Sequence, residues 1–466
     1  MTLRFELNID QDPVLTIGRT ELDAVLRVAG RRLDGPAERT GRAERCEVVI
    51  IDCSGSMGGL NRRSEGRRLK IAAAVSATMT AIDVLPDGVL FAVVAGDHEA
   101  RTVYPPTPAS ERTRADARAA VRRLTCNGGT NIGAWLTEAR RLLAPHPNAL
   151  RHAILLTDGR NNESPEEFER ALAACEGEFV CDARGIGEDW VAHDLQRIAT
   201  VLRGSADAVV DDAELEAEFR RMVEAALGKV TPKMSLRFTT TPPGRLVSLR
   251  QVYPERADLT GHVTALGDRV FELVSGSWGE ESRDYQLRFE VSHEGAPHFT
   301  DLRVARVEAM VGGERRGAAN VMVHWSEDPD ASTFTSHTIS LYQAQDNMSQ
   351  AVDAGLSAYG RNDLSGAERE WARAVRLAAR CGNQRALDEL QRFVEILDLD
   401  EGRVRARPNL SHHDVQLVKV ALSHYEQAPE EEPTAVPAGP PWECECGRTS
   451  PSAANFCIHC GHHRRP

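Results

Sequence analysis

The chain has 466 residues and a formal net charge of −13, with 56 Lys and Arg set against 69 Asp and Glu. That length favours about three domains of ordinary size, and the acidic balance excludes an overall electrostatic footprint for nucleic acid or for an anionic membrane surface. Only Lys70, Lys229, Lys233 and Lys419 among the basic residues are lysines. We read this as GC-rich coding, as in a high-GC bacterium, so the arginine content is no argument for RNA binding.

The opening MTLRFELNIDQD has no basic n-region and no long apolar core, and no stretch of the chain approaches about 18 uninterrupted apolar residues. The expected location is cytoplasmic, with no membrane contact. Four of the ten cysteines crowd between 444 and 460 while six are scattered, which points to one metal site and otherwise reduced thiols.

Taken in chain order, Leu3, Phe5, Leu7 and Ile9 alternate with Arg4, Glu6 and Asn8 as a half-buried strand should. Further strand patterns lie at Val14 to Ile17 and Ala24 to Val28. Residues 1–45 cannot bury a core alone and must pair with strands later in the chain. From 46 to 229, apolar runs (48–51, 89–95, 153–156, 179–180 with 186, 208–210) alternate with helical periods such as Ile71, Val75, Met79 and Ile82. This predicts a doubly wound, mostly parallel α/β sheet with helices on both faces. Ligands of such sheets bind at the carboxyl ends of the strands. Residues 230–340 return to short alternating strands (MSLRFTT, LVSLRQVY, YQLRFEVS, ANVMVHW), a β-sandwich composition that the N-terminal strands complete, with the α/β unit inserted between them. Residues 341–400 read as a small helical module through NQRALDELQRFVEIL, one hairpin of which resembles a single tetratricopeptide unit but reads more plainly as a packing module. No assignment is made for 401–427. Residues 428–441 have the Pro-rich, acidic composition of an extended linker, which would tether the tail at 442–466 without packing it.

The chemistry concentrates in three strand-end segments. VVIIDCSGSMGG places Asp52, Ser54 and Ser56 after the first inserted strand; CNGGTNIG places Thr130 at a helix start; ILLTDGR ends another apolar strand at Asp158. A hard cation such as Mg²⁺ takes octahedral oxygen ligands at about 2.1 Å and keeps waters. Hydroxyls of Ser54, Ser56 and Thr130 can ligate it without neutralising it, and Asp52 and Asp158 can act directly or through water. A lone D-x-S-x-S would equally serve as a turn or helix cap; three concordant segments favour the metal site.

Together, D-x-S-x-S, the Gly-Gly-Thr and the strand ending in Thr-Asp-Gly resemble the von Willebrand factor type A domain with its metal-ion-dependent adhesion site, over about 180 residues from 47 to 228. The resemblance implies the doubly wound fold, Mg²⁺ or another divalent cation as cofactor, and ligand binding in which the partner completes the coordination with an Asp or Glu. It also suggests a bacterial scaffold working beside ATPases, protein kinases or phosphatases. Hydrolysis by the same ion is the rival reading and would need a positioned base. His98 and Glu99 follow the second strand, whose end the family places in a hairpin at the sheet edge away from the metal, and His152 begins a strand at the opposite rim. Both histidines read as ordinary surface residues, and no catalytic residue is assigned. Cys53, within the metal loop, reads as a packed thiol in preference to an oxidation-sensitive gate, as do Cys46, Cys126, Cys175, Cys181 and Cys381.

In the tail, Cys444 and Cys446 form a C-x-C and Cys457 and Cys460 a C-x-x-C. Two close thiolate pairs suit a closed tetrahedral Zn²⁺ site, and Gly447 and Gly461 follow each pair where a turn needs positive φ. The segment resembles the short zinc ribbons that end many bacterial multidomain proteins, with Trp442 and Phe456 as a minimal core and His459 as a bystander. Its first knuckle is one residue shorter than the usual C-x-x-C. Nucleic-acid binding by the ribbon is disfavoured, because only Arg448, Arg464 and Arg465 and no further aromatic platform accompany it. His412 with His413, and His462 with His463, read as solvated histidines.

Overall fold

The computed structural model of the protein describes residues 3–12, 14–32, 44–60, 69–294, 301–327, 336–399, 401–429, 442–450, 457–462 and 464. Phe456, His463, Arg465 and most of the expected linker lie outside these residues.

Two five-stranded antiparallel sheets form the sandwich. The first has the order Leu3–Gln11, Glu21–Arg32, Ser282–Val291, Gly244–Tyr253, Ala257–Asp258; the second has Thr264–Gly267, Val270–Trp278, Thr231–Thr240, Leu302–Val311, Glu314–Val323. The strand Glu21–Arg32 pairs with Leu3–Gln11 on one edge and with Ser282–Val291 on the other, in register from Glu21↔Glu290 to Ala29↔Ser282. The sandwich therefore closes only after the chain has passed through the inserted α/β unit. Phe5 packs edge-on against Trp278 in its core, with ring centroids 5.4 Å apart, and Leu236, Phe238, Phe289 and Trp325 are buried there too. Glu21–Arg32 runs well beyond the expected Ala24 to Val28 because both its faces are covered. Leu26 faces the sandwich core and Val25 joins a helical core, so the apolar alternation that marks a half-exposed strand is blurred.

The inserted unit is a six-stranded sheet in the order Ala100–Pro108, Leu90–Gly96, Arg45–Asp52, Leu150–Thr157, Val180–Ile186, Ala206–Val209. All neighbours are parallel except the hairpin formed by Ala100–Pro108 and Leu90–Gly96. The central strand carries the unbroken apolar run Val48 to Ile51 because helices cover both faces. Lys70–Val84, Glu111–Val121 and Asp212–Gly228 pack on one side around Val49, Ile51 and Phe91. Ile132–Leu143, Pro165–Cys175 and Ala192–Leu202 pack on the other around Val48, Ile50 and Leu155. The chain leaves Arg45–Asp52 toward one edge and later returns to build Leu150–Thr157 on its other side, so the crevice between these strands' carboxyl ends is the topological switch point.

The helices His337–Gly360 and Leu364–Arg380 form an antiparallel pair. They meet closely because Gly355 has no Cβ; one placed there would lie 2.3 Å from Trp371 Nε1. Asp284 fixes the pair to the sandwich, accepting from Arg27 Nε at 3.0 Å and from the Tyr342 hydroxyl at 2.7 Å. The expected helix through 400 stops early. Gln384–Leu390 is helical, but Val394–Asp398 is a strand paired with Arg403–Ala406, since Val394 and Ile396 face inward at a spacing of two. The unassigned stretch contains the helix His412–Ala421, and Ala428, where the linker was expected to begin, is buried against Tyr342.

The tail is docked, against the expectation of a segment held only by its tether. Arg373, Arg376 and Arg380 of one helix donate in succession to the carbonyl oxygens of His459, Cys460 and Gly461. Asn347 Nδ2 donates to Ile458 O at 2.8 Å, and the Ile458 side chain joins the helical core. Gly461 permits this approach, for a Cβ there would sit 2.7 Å from that of Arg376.

Candidate functional site

Asp52 ends one strand and Asp158 directly follows its neighbour Leu150–Thr157 at the switch point, and both are fully buried. Asp52 Oδ1 accepts from Ser54 N at 2.7 Å, and its Oδ2 accepts from Thr157 Oγ1 at 2.6 Å and Asp158 N at 3.3 Å. Those bonds fold the loop back so that Ser54 and Ser56 share one side, their Oγ atoms 2.9 Å apart. Ser56 Oγ then donates to Asp158 Oδ1 at 2.6 Å. Burial pushes the Asp52 carboxyl up to about 6 and Asp158 adds to the rise, opposed by the hydrogen bonds from Ser54 and Thr157.

Thr130 reaches the same place from the second loop. Gly55 N donates to Gly128 O and Asn127 N to Cys53 O, stitching the two loops together. On the third loop Asn162 Oδ1 accepts from Thr130 N at 2.7 Å, Asn161 Oδ1 from Ile132 N, and Glu163 from Gly133 N and Ala134 N. Asn161 and Glu163 thus satisfy the orphan amides that begin Ile132–Leu143, and Asn162 holds Thr130 in position. A Cβ added to Gly159 would lie 2.9 Å from Thr130 Oγ1 and 3.7 Å from Ser56 Oγ. Hydroxyls and carboxylates from three loops therefore converge on one rim of the sheet, a donor set that fits a hard oxygen-seeking cation.

Sequence reasoning missed Asn161, Asn162, Glu163 and Lys70 in this assembly. Lys70 Nζ donates to Asp158 Oδ2. RNNES carries a visible turn signal, but nothing local to it names the helix it caps.

Of the histidines read as surface or solvated residues, His98 is exposed as expected, whereas His152 and His413 are buried. His98 is exposed but not remote: it pairs with Asp97 at 3.1 Å and lies against Gly128 of the second loop, where a Cβ would meet its Nδ1 at 2.4 Å. The hairpin is drawn in because Trp135 Nε1 and Asn131 N both donate to Asp97 O. His152 is not a surface residue. It is buried at the opposite rim, with Nδ1 at Glu47 and Nε2 3.0 Å from Asp182. Burial alone would depress this imidazole, but the two carboxylates outweigh it and push it up to about 10. It lines a cavity of about 240 Å³ between the α/β unit and the sandwich. His413, also read as solvated, is buried edge-on against Trp190. The packed-thiol reading of Cys53 agrees with its burial, which pushes the thiol up to about 12.

In the tail, the Sγ atoms of Cys444, Cys446, Cys457 and Cys460 all lie within 4.8 Å of one another, with 3.5 Å between Cys444 and Cys460 and 3.7 Å between Cys446 and Cys457. Tetrahedral zinc with Zn–S of about 2.3 Å requires Sγ separations of about 3.8 Å, so the four thiols fit that ion; a disulfide would need about 2.05 Å. Gly447 and Gly461 both adopt positive φ, 74° and 78°, and Gly447 N and Gly461 N donate back to Cys444 O and Cys457 O to close the two knuckles.

Known proteins share this architecture. Residues 48–208 match the von Willebrand factor type A domain family. The von Willebrand factor type A from Catenulispora acidiphila is 34% identical and superposes with a TM-score of 0.82, covering 91% of this chain and 98% of that one. The chain belongs to the von Willebrand factor type A family, whose domains are in general protein-binding modules and typically non-catalytic. The ArnB paralog VWA2 from Sulfolobus acidocaldarius shares the fold at 12% identity, with a TM-score of 0.55 over 91% of this chain and 100% of that one. The von Willebrand factor A domain-containing protein 5A of Rattus norvegicus is 24% identical over 277 residues, 55% of this chain and 32% of the rat protein, so the chain spans about a third of that relative.

Proposed function

We propose that this protein is a non-enzymatic, cytoplasmic scaffold that captures an acidic protein partner at the rim built by Asp52, Ser54, Ser56, Thr130 and Asp158, with Mg²⁺ as its resident ion. The observation that carries the reading is the convergence of three hydroxyls and two buried carboxylates, from three separate loops, at the switch point of a parallel sheet. When bound, a divalent cation supplies an electrophilic position for one more oxygen ligand. The chain's own residues prepare that position. Ser54, Ser56 and Thr130 are neutral donors that leave an ion's charge largely uncancelled. Asp52 shapes the first loop through Ser54 N, and Asp158 orients the Ser56 hydroxyl. A carboxylate is the external ligand that best completes such a set. His98 faces Gly128 and Asp97 instead of Asp52 or Asp158, which disfavours a metal-dependent hydrolase.

We further propose that Cys444, Cys446, Cys457 and Cys460 hold a structural Zn²⁺, and that the ribbon's role is to close the helical module. Its backbone carbonyls and Ile458 are already engaged there. The test of the main proposal is affinity capture on the immobilised protein with Mg²⁺ or with chelator, comparing wild type with Asp52→Ala/Ser54→Ala. A partner retained by wild type with Mg²⁺, and lost when one of its own Asp or Glu residues is changed to Ala, is the expected result. Retention indifferent to chelator and to the double substitution would refute it.

A further inference from the structure

Lys70 opens the helix that follows the first metal loop, with its amide donating to Gly59 O at 3.0 Å. A cation there gains nothing from the helix, since the amino-terminal end of the macrodipole is positive and repels it. Its side chain turns inward, is 9% exposed, and ends on Asp158 Oδ2. Gly187 leaves the room for that side chain, and Gly59 borders it at ordinary contact distance. A Cβ on Gly187, whose φ is +73°, would lie 3.0 Å from Lys70 Cδ and 3.3 Å from Nζ, and one on Gly59 would lie 3.8 Å from Cε. The chain uses Arg at all but four of its basic positions. Here a narrow ammonium on a flexible stem fits where a planar fork would be crowded.

Both oxygens of Asp158 are therefore engaged, Oδ1 by Ser56 and Oδ2 by Lys70. We infer that Lys70 is a tethered competitor for the cation at this rim: its ammonium balances buried Asp158 when the ion is away and repels or yields to the ion when it arrives. The inference rests on the proposed metal site and deepens it. An uncompensated buried carboxylate would disfavour the assembled loops; with Lys70 in place the donor set stays formed, and the ion is held weakly until an external carboxylate restores the charge balance. Ion and acidic partner then bind together.

The experiment is calorimetric titration of the full chain with Mg²⁺, comparing wild type with Lys70→Met, which keeps the length of the side chain and removes its charge, and with Lys70→Gln. Removing one like charge from a partly desolvated site is expected to tighten Mg²⁺ binding on the order of tenfold or more. Equal or weaker binding by folded variants overturns the inference and leaves the metal site standing; binding by none of the three proteins overturns both. A second readout needs no variant to fold well. The chain has four lysines, so lysine-selective ¹⁵N labelling gives four Nζ signals. Saturating Mg²⁺ should move that of Lys70 while those of Lys229, Lys233 and Lys419 stay. A Lys70 signal unmoved by an ion that binds would also overturn the inference.

Discussion

Arg376 donates its Nε to the carbonyl oxygen of Cys460 at 2.7 Å, so a helix of the central module reads the backbone of a cysteine knuckle. With Arg373 and Arg380 doing the same at His459 and Gly461, docking of the tail depends on the knuckle keeping its shape. Four thiolates around the proposed Zn²⁺ would carry a formal double negative charge beside these guanidiniums.

The first prediction concerns that coupling. Mass spectrometry under non-denaturing conditions should find one zinc per chain, lost in Cys457→Ser/Cys460→Ser. Amide exchange along Leu364–Arg380 and at Ile458 should rise in the same variant. Arg376→Ala should cost about 1–3 kcal/mol of docking through the lost charge-assisted bond and the knuckle carbonyl left without its donor. Unchanged exchange in the zinc-free variant would separate docking from metal.

The second is a pH dependence. The imidazolium of His152 lies between Glu47 and Asp182, with its pKa raised from 6.5 to about 10. A raised folded-state value contributes stability that is fully present below pH 6.5 and is lost as pH rises through 10. Urea denaturation should therefore give a midpoint that falls between those limits, and His152→Gln should flatten that fall. The same substitution leaves two carboxylates short of their cation and should cost about 3–5 kcal/mol at neutral pH. A pH slope identical in variant and wild type would remove His152 from this account.

The third concerns the buried pair at the proposed metal site. Asp158→Asn removes the carboxylate from Lys70 and should destabilise the fold by about 3–5 kcal/mol, as breaking one side of a buried ion pair does. Adding Lys70→Met should recover part of that loss, because neither member of the double variant is then charged. Additive losses in a double-mutant cycle would show the two side chains to be independent.

The fourth tests the hairpin's approach to the second loop. A Cβ on Gly96 would lie 2.3 Å from the Trp135 ring, so Gly96→Ala should cost about 1–3 kcal/mol by overpacking. Because Trp135 Nε1 and Asn131 N both donate to Asp97 O, the displacement should propagate to Thr130. Thermal melts alongside Mg²⁺ titration measure both effects.

Much of this was legible in the residues. Asp52, Ser54, Ser56, Thr130 and Asp158 each follow a strand or precede a helix whose period is plain, and parallel topology then sends those ends to one rim. What escaped was set by long-range pairing. Lys70 meets Asp158 from 88 positions away, and His152 meets Glu47 from 105; no local pattern distinguishes either from a solvated residue. Asn161, Asn162 and Glu163 form an obvious turn, yet Asn161 and Glu163 cap a helix that begins about thirty residues earlier and Asn162 binds Thr130 just before it. The short apolar run at Val394–Asp398 satisfies both the helix and the strand period, and only the partner strand Arg403–Ala406 decides between them. Docking of the tail was invisible for the same reason: the carbonyls that Arg373, Arg376 and Arg380 bind carry no sequence signature.

The most direct measurement of the central claim is anomalous diffraction from crystals of the full chain grown with Mn²⁺ in place of Mg²⁺. One strong anomalous peak is expected within coordination distance of the Ser54, Ser56 and Thr130 hydroxyls, absent in Asp52→Ala/Ser54→Ala. Manganese bound elsewhere, with the space beside Gly159 showing no anomalous signal, would contradict the claim.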